Sequence, residues 1–259
     1  MTKTILITGA TDGIGLLTAK KLAAAGHTVL LHGRSPAKLE KAAKTVGGAP
    51  ETYVADLSDL TQVAALADAV LAKHDHLDGL INNAGVLRLP SPVTPSGLDA
   101  RFVVNTLAPY VLTQRLLSII PKTGRVVNLS SAAQAPVDVQ AMMGARRMDH
   151  MEAYAQSKLA ITIWSMELAE RLPLGPAVIA VNPGSLLASK MVKEGFGVAG
   201  NDLSIGADIL IKATLDDSFA AKSGAYFDND SGRFTAPHHA ASRPEHRTEV
   251  MQAIEKLIS

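Results

Sequence analysis

The chain predicts a doubly wound α/β domain, a parallel sheet with helices on both faces, on three observations. Short β-branched and apolar runs alternate with segments of helical period from one end to the other, the signature of repeated βα units. The first of these runs feeds a glycine-rich turn that opens directly into a helical pattern. At 259 residues the chain is long enough for one large domain with a full core, spanning 1–259, and no composition shift marks a second.

Charge and composition narrow the partners. Lys plus Arg (25) nearly balances Asp plus Glu (24), so no basic field recruits nucleic acid or an anionic membrane surface. A small-molecule partner is expected. Cysteine is absent, which excludes disulfides, thiolate catalysis and Cys-ligated metal. No segment offers a long apolar span, and the first strand opens too early to leave room for a signal peptide. A soluble, cytoplasmic protein is expected.

The opening run Thr4-Ile5-Leu6-Ile7 reads as a buried strand, and Leu16 to Ala25 as a helix. Between them lies Gly9-Ala10-Thr11-Asp12-Gly13-Ile14-Gly15. Glycines let a backbone bend sharply and approach a pyrophosphate, whose charge is met by free N–H groups and the positive end of the helix dipole. A second strand, Thr28 to His32, ends in Gly33-Arg34-Ser35 before a helix from Pro36 to Val46. An acidic residue at this strand end would bind the ribose 2′-hydroxyl of NAD. Gly33 leaves space and Arg34 can pair with a 2′-phosphate, so NADP(H) is preferred over NAD(H). Lys38, one helical turn on, could add charge there, although Lys38, Lys41 and Lys44 read more simply as a solvated helix face.

Strand Thr52 to Ala55 ends at Asp56-Leu57, and Ser58 is read as the cap of the next helix. Asp56 is placed to accept from adenine or to serve as a turn residue. Strand Leu77 to Ile81 runs into Asn82-Asn83-Ala84-Gly85, small residues at a strand's carboxyl end, where ligands of parallel sheets lie. Leu98 to Ile120 is a long helical pattern interrupted by Asn105 and Pro109, and Pro109 predicts a kink near Asn105. The kink would let the Asn105 side chain hold water or a neighbouring carbonyl. Strand Arg125 to Leu129 ends on Ser130-Ser131.

Residues 132–151 carry Met142, Met143, Met148 and Met151 without a clean period, which fits either a pocket wall for an apolar ligand or a satellite cluster under a loop. The helix from Glu152 to Leu172 puts Tyr154 and Lys158 on one face and is apolar over most of the rest. Such a helix packs on more than one side, which leaves a homodimer or homotetramer open. Strand Ala177 to Val181 ends at Asn182-Pro183-Gly184-Ser185, and 186–200 reads as a mobile segment over the site, with Ser189 able to reach a carboxamide or phosphate. Asp202 to Leu215 is helical, Ala225 to Phe227 the last strand, and Pro244 to Ile258 the terminal helix. His238, His239 and His246 lack metal-ligand spacing and read as a solvated connection, so no metal is expected.

Taken in order, Thr8-Gly9-x-x-x-Gly13-x-Gly15, Asn82-Asn83-Ala84-Gly85, Asn105, Ser131, Tyr154-x-x-x-Lys158 and Pro183-Gly184 resemble the short-chain dehydrogenase/reductase family over nearly the whole chain. The long stretch between Ser131 and Tyr154 is similar to that of its retinol-dehydrogenase-like branch. The resemblance implies a Rossmann-type parallel sheet of about seven strands, a nicotinamide cofactor and an Asn105-Ser131-Tyr154-Lys158 catalytic group. It makes the glycine turn, Ile14 included, the pyrophosphate loop and Asp56-Leu57 the adenine contact. Asn83, Ala84 and Gly85 become the lining of the nicotinamide-side ribose, with Pro183, Gly184 and Ser189 beyond. Family members that use NADP often carry a basic residue before the second glycine, and here that residue is Asp12.

The implied chemistry is hydride transfer between nicotinamide and a carbonyl or alcohol, with a bulky apolar substrate. Tyr154 would be the general acid/base, with Lys158 favouring the phenolate by its charge and holding the ribose. Ser131 would bind the carbonyl oxygen, and Asn105 would hold a water behind Lys158. The alternative is a catalytically silent NADP-binding regulator or scaffold on the same fold.

Overall fold

The computed structural model describes residues 1–188, 193, 197 and 199–259. Ser189, and most of the stretch read as a mobile segment, lie outside the described residues. Strand β1 (Thr4–Ile7) leads through the glycine turn to α1 (Gly13–Ala24), followed by β2 (Thr28–Gly33), α2 (Pro36–Val46), β3 (Glu51–Val54), α3 (Leu60–Leu71) and β4 (Gly79–Asn82). The chain continues through α4 (Ala100–Phe102), a π-helical turn (Val103–Leu107), α5 (Ala108–Leu116), β5 (Arg125–Leu129), α6 (Val139–Met142), α7 (His150–Arg171) and β6 (Ala177–Asn182). It closes with α8 (Leu203–Leu215), α9 (Asp217–Ala220), β7 (Tyr226–Asp228), β8 (Arg233–Thr235) and α10 (Pro244–Ile258).

The strands form one sheet in the order β3-β2-β1-β4-β5-β6-β7-β8. All neighbours pair parallel except β7 with β8, which is antiparallel. β8 corrects the expected strand count: three residues behind the Asn229–Gly232 turn are too short to show a period, yet they cover the edge of β7. The chain reverses its lateral direction at β1, so the crevice at the carboxyl ends of β1 and β4 is the topological switch point where ligands of such sheets bind.

Adjacent residues of each strand serve opposite cores. Leu6, Leu30, Leu80, Val126 and Val178 pack with α3, α5 and α7, while Ile5, Ile7, Val29, Leu31, Ile81, Val127 and Ile179 pack with α1, α2 and α8. Both faces are buried, which is why the strands read as continuous apolar runs instead of alternating ones.

Three local readings differ from expectation. Asp59, not Ser58, caps α3: its carboxylate accepts from the Thr61 N–H at 2.9 Å, while Ser58 donates its hydroxyl to Asp56. Met142 belongs to the main core shared with α3, α5 and α7, and Met143 and Met148 pack against it, not in a satellite cluster, while Met151 stays exposed. His246 is buried, its Nε2 accepting from the Val137 N–H at 3.2 Å, because α10 folds back onto the 132–151 stretch; only His238 and His239 stay in the connection, their rings 4.2 Å apart. Among the described residues no group of His, Cys, Asp or Glu is arranged to hold a metal ion, and no helix is long and apolar enough to cross a membrane.

Candidate active site

A cavity of about 380 Å³ opens along the carboxyl ends of β1 to β5. Its floor is the glycine turn. Gly9 has φ +67°, where L side chains are strained, and a Cβ there would stand 2.9 Å from the Ala84 backbone. At Gly15 a Cβ would meet Asn83 Nδ2 at 2.4 Å and the Gly9 carbonyl at 2.5 Å. Helix and loop therefore approach as closely as glycine alone permits. The Asn83 amide fixes that approach by donating to the carbonyls of Thr8 (2.8 Å) and Gly9 (3.2 Å), so its side chain braces the loop while the residue also lines the cavity beside Ala84 and Gly85.

Two loop N–H groups are spoken for by His32. Its ring Nδ1 accepts from Gly9 at 3.2 Å and its carbonyl from Ala10 at 2.9 Å, while Nε2 bonds the Ala55 carbonyl at 3.0 Å. Burial lowers the pKa of His32 to about 4, so the ring is neutral at pH 7 and accepts at Nδ1 while donating at Nε2. The strand alternation offered no hint of this role, which needs β1 and β3 on either side. Asp12 caps α1 by accepting from Gly13 at 2.7 Å. The N–H groups of Ile14 and Gly15 find no acceptor among the described residues and stand at the positive end of α1, ready for an anion.

Arg34, Ser35 and Lys38 form the rim beyond β2. Arg34 and Lys38 have no carboxylate within ion-pair reach among the described residues, whereas Lys44 on the same helix pairs with Glu40. Lys38 thus belongs to the cavity and not only to a solvated face. A Cβ at Gly33 would meet the Thr11 methyl at 2.4 Å, so the conformation leaves no room for an acidic side chain there. Asp56 and Leu57 line the same end. Asp56 also acts as a turn residue, accepting from the Ser58 N–H and hydroxyl at 2.9 and 2.7 Å.

At the other end stand Tyr154 and Lys158, on one face of α7, with Ala84, Gly85, Val86, Leu129, Ser130 and Pro183 around them. Asp149 caps α7 through the N–H groups of Met151 and Glu152, so the helix begins earlier than expected and Tyr154 lies in its second turn. Lys158 is 3% exposed; its Nζ donates to the Leu129 carbonyl at 2.6 Å and lies 5.6 Å from the Tyr154 ring centre. Burial lowers its pKa to about 7 and pushes the Tyr154 phenol up, with a hydrogen bond from Ser131 opposing that rise.

Ser130 and Ser131 divide the work at the end of β5. Ser130 is buried against α7, donating to the Lys158 carbonyl at 3.0 Å and sharing a hydrogen bond with Thr162. Ser131 stands outside the cavity wall, half-buried, beside Tyr154, with its Oγ accepting from Ala133 at 3.1 Å. Asn105 is fully buried behind the cavity in the π turn. Its Oδ1 accepts from Val86 (2.8 Å), and its Nδ2 donates to the Val86 carbonyl (3.0 Å) and to Ser157 Oγ (2.9 Å). The side chain therefore holds a neighbouring carbonyl, both amide hydrogens being used. Pro183 lines the cavity; Gly184, at φ +120°, follows it outside the wall.

A glycine turn on a helix N-terminus at the switch point, with a tyrosine–lysine pair across the cavity, defines a nicotinamide-dinucleotide oxidoreductase. A short chain dehydrogenase family model matches residues 3–196. Human retinol dehydrogenase 13 is 32% identical over 262 residues, covering 91% of this chain and 78% of its own. Among solved structures, the angucycline C-6 ketoreductase LanV with bound NADP superposes with a TM-score of 0.67 at 28% identity, over 88% of this chain and 93% of its own. The 3-ketoacyl-(acyl-carrier-protein) reductase of Brucella melitensis, complexed with NADH, gives 0.71 at 25% identity, over 89% and 98%. The chain belongs to the short-chain dehydrogenase/reductase family, in its retinol-dehydrogenase-like branch, and is an oxidoreductase of alcohol and carbonyl groups.

Proposed function

We propose that the protein uses NADP(H) in preference to NAD(H) to interconvert a carbonyl and an alcohol on a bulky apolar substrate, with Tyr154 as the general acid/base. The observation that carries this reading is the pairing of Tyr154 and Lys158 at one end of a cavity, with Ser131 beside Tyr154 just outside its wall, while the other end holds Arg34 and Lys38, which have no carboxylate partner among the described residues. The free N–H groups of Ile14 and Gly15 fit a pyrophosphate, and the Arg34 guanidinium fits a 2′-phosphate. Bound nicotinamide supplies or accepts the hydride.

The rest belongs to the chain. Ser131 orients the carbonyl oxygen and stabilises its growing charge. Tyr154, a phenol already protonated at neutral pH and pushed further up by burial, delivers the proton to that oxygen, the form that carbonyl reduction consumes. Lys158, poised near neutrality, sets the charge beside the phenol. The names of human retinol dehydrogenase 13 and of the angucycline ketoreductase support an apolar substrate. So do Leu186 and Ile205, which stay exposed beside the Pro183–Gly184 turn. NADPH oxidation with retinal and with an aromatic polyketide ketone tests the reading. Tyr154→Phe should lower turnover by roughly 10²- to 10⁴-fold with NADPH binding intact. An unchanged rate would overturn the role of Tyr154, and rates equal with NADH would overturn the cofactor preference.

A further inference from the structure

The main-chain carbonyl of Ser131 carries two side-chain donors, and the chemistry above uses neither. The Tyr226 hydroxyl donates to it at 2.9 Å, and so does Gln134 Nε2, also at 2.9 Å. A carbonyl oxygen offers two lone pairs, so both are filled and the peptide plane that follows Ser131 is pinned. Gln134 is itself oriented: its Oε1 accepts from the His238 N–H at 2.9 Å, which obliges the amide hydrogens to face Ser130 and Ser131. Tyr226 is 6% exposed, locked in β7 opposite Ala180 of β6 and Thr235 of β8. Burial and the carboxylates of Asp228 and Asp230 push its phenol up, so it remains a donor through the neutral range. Tyr226 and His238 lie beyond residue 196, where the family match ends.

We propose that Tyr226 is a positioning residue for the reaction, holding the Ser131 backbone with Gln134 so that the serine hydroxyl meets Tyr154, and that the C-terminal segment is thereby part of the active site. The proposal rests on the reading of Ser131 as the donor to the carbonyl oxygen. Loss of one donor leaves the carbonyl half-held and the hydroxyl free to swing within the turn it makes with Ala133.

The test is a double-mutant cycle on NADPH-dependent reduction of decanal and retinal, with Tyr226→Phe, Ser131→Ala and the pair, beside hydrogen exchange of the Ala133 amide. Tyr226→Phe keeps the ring and its packing. It should lower kcat about tenfold, the worth of roughly one hydrogen bond, without changing NADPH affinity, and speed Ala133 exchange. In the Ser131→Ala background the same change should cost nothing further. An equal loss in both backgrounds, no loss with Ser131 present, or unchanged exchange overturns the positioning role. A Ser131→Ala enzyme as active as the parent overturns the Ser131 reading instead. If Tyr226→Phe fails to fold, Gln134→Leu removes the other donor and is held to the same outcomes.

Discussion

The two ends of the cavity are built on different principles. The nucleotide end is made of backbone: glycines, free N–H groups and strand termini, gathered within the first 60 residues or so. The reacting end is made of side chains brought from β5, the π turn, α7 and β7, with partners such as Tyr226 and Ser131 standing 95 residues apart. A backbone site is specified by which residue types permit an approach. A side-chain site is specified by who stands behind each group, and that is a property of the whole fold.

The largest effect that sharpens this contrast comes from a side-chain cluster at the start of α7, the helix that carries Tyr154 and Lys158, and falls on stability. Arg101 is 1% exposed and clamps Asp99 through Nε (2.8 Å) and Nη2, while Nη1 meets His150 at the start of α7. Arg101→Leu would strand a buried carboxylate and should cost about 3–5 kcal/mol, read by denaturant unfolding; a loss below ~1 kcal/mol would mean the pair is dispensable. At the nucleotide end, by contrast, changes should appear in binding. Gly15→Ala drives a Cβ into the Gly9 carbonyl, an overpacking of about 1–3 kcal/mol, and should weaken NADPH roughly 5- to 150-fold by fluorescence titration. Arg34→Ala removes one charge-assisted contact, about 1.5–3 kcal/mol, and should weaken NADPH while leaving NADH unchanged. Equal weakening of both would assign Arg34 a role other than reading the 2′-phosphate.

The smallest effect at neutral pH comes from His32. Its folded pKa of about 4 lies below the ordinary 6.5, so the unfolded chain takes up a proton in this interval before the folded one does. The stability tied to the neutral ring is therefore complete above about 6.5 and is lost as pH falls toward 4. His32→Asn, whose Oδ1 can accept from Gly9 in place of Nδ1, should flatten the fall in melting temperature between pH 6.5 and 4.5. Identical slopes would show that the ring does not titrate with folding.

The same contrast explains what could be read from the residues alone. The strands, the helices and the glycine turn were legible because each rests on local period and local sterics. Tyr154 and Lys158 were legible as a helical face. The bracing role of Asn83, the fully bonded Asn105 and the buried His246 were not, since each depends on a partner 19 to 109 residues away. His32 was hidden for the same reason, and β8 by brevity. Even Asp12, which departs from the basic residue common with NADP, has a local reason: it caps α1.

The turn at Val103–Leu107 carries one more consequence, in the currency of insertions and deletions. A π turn is an α-helix holding a surplus residue. Removing one residue there would let α4 and α5 fuse into a regular helix, rotating one side against the other by about 100°. Asn105 would then swing off Val86 and Ser157 together. The back wall of this site therefore has its length fixed to the residue.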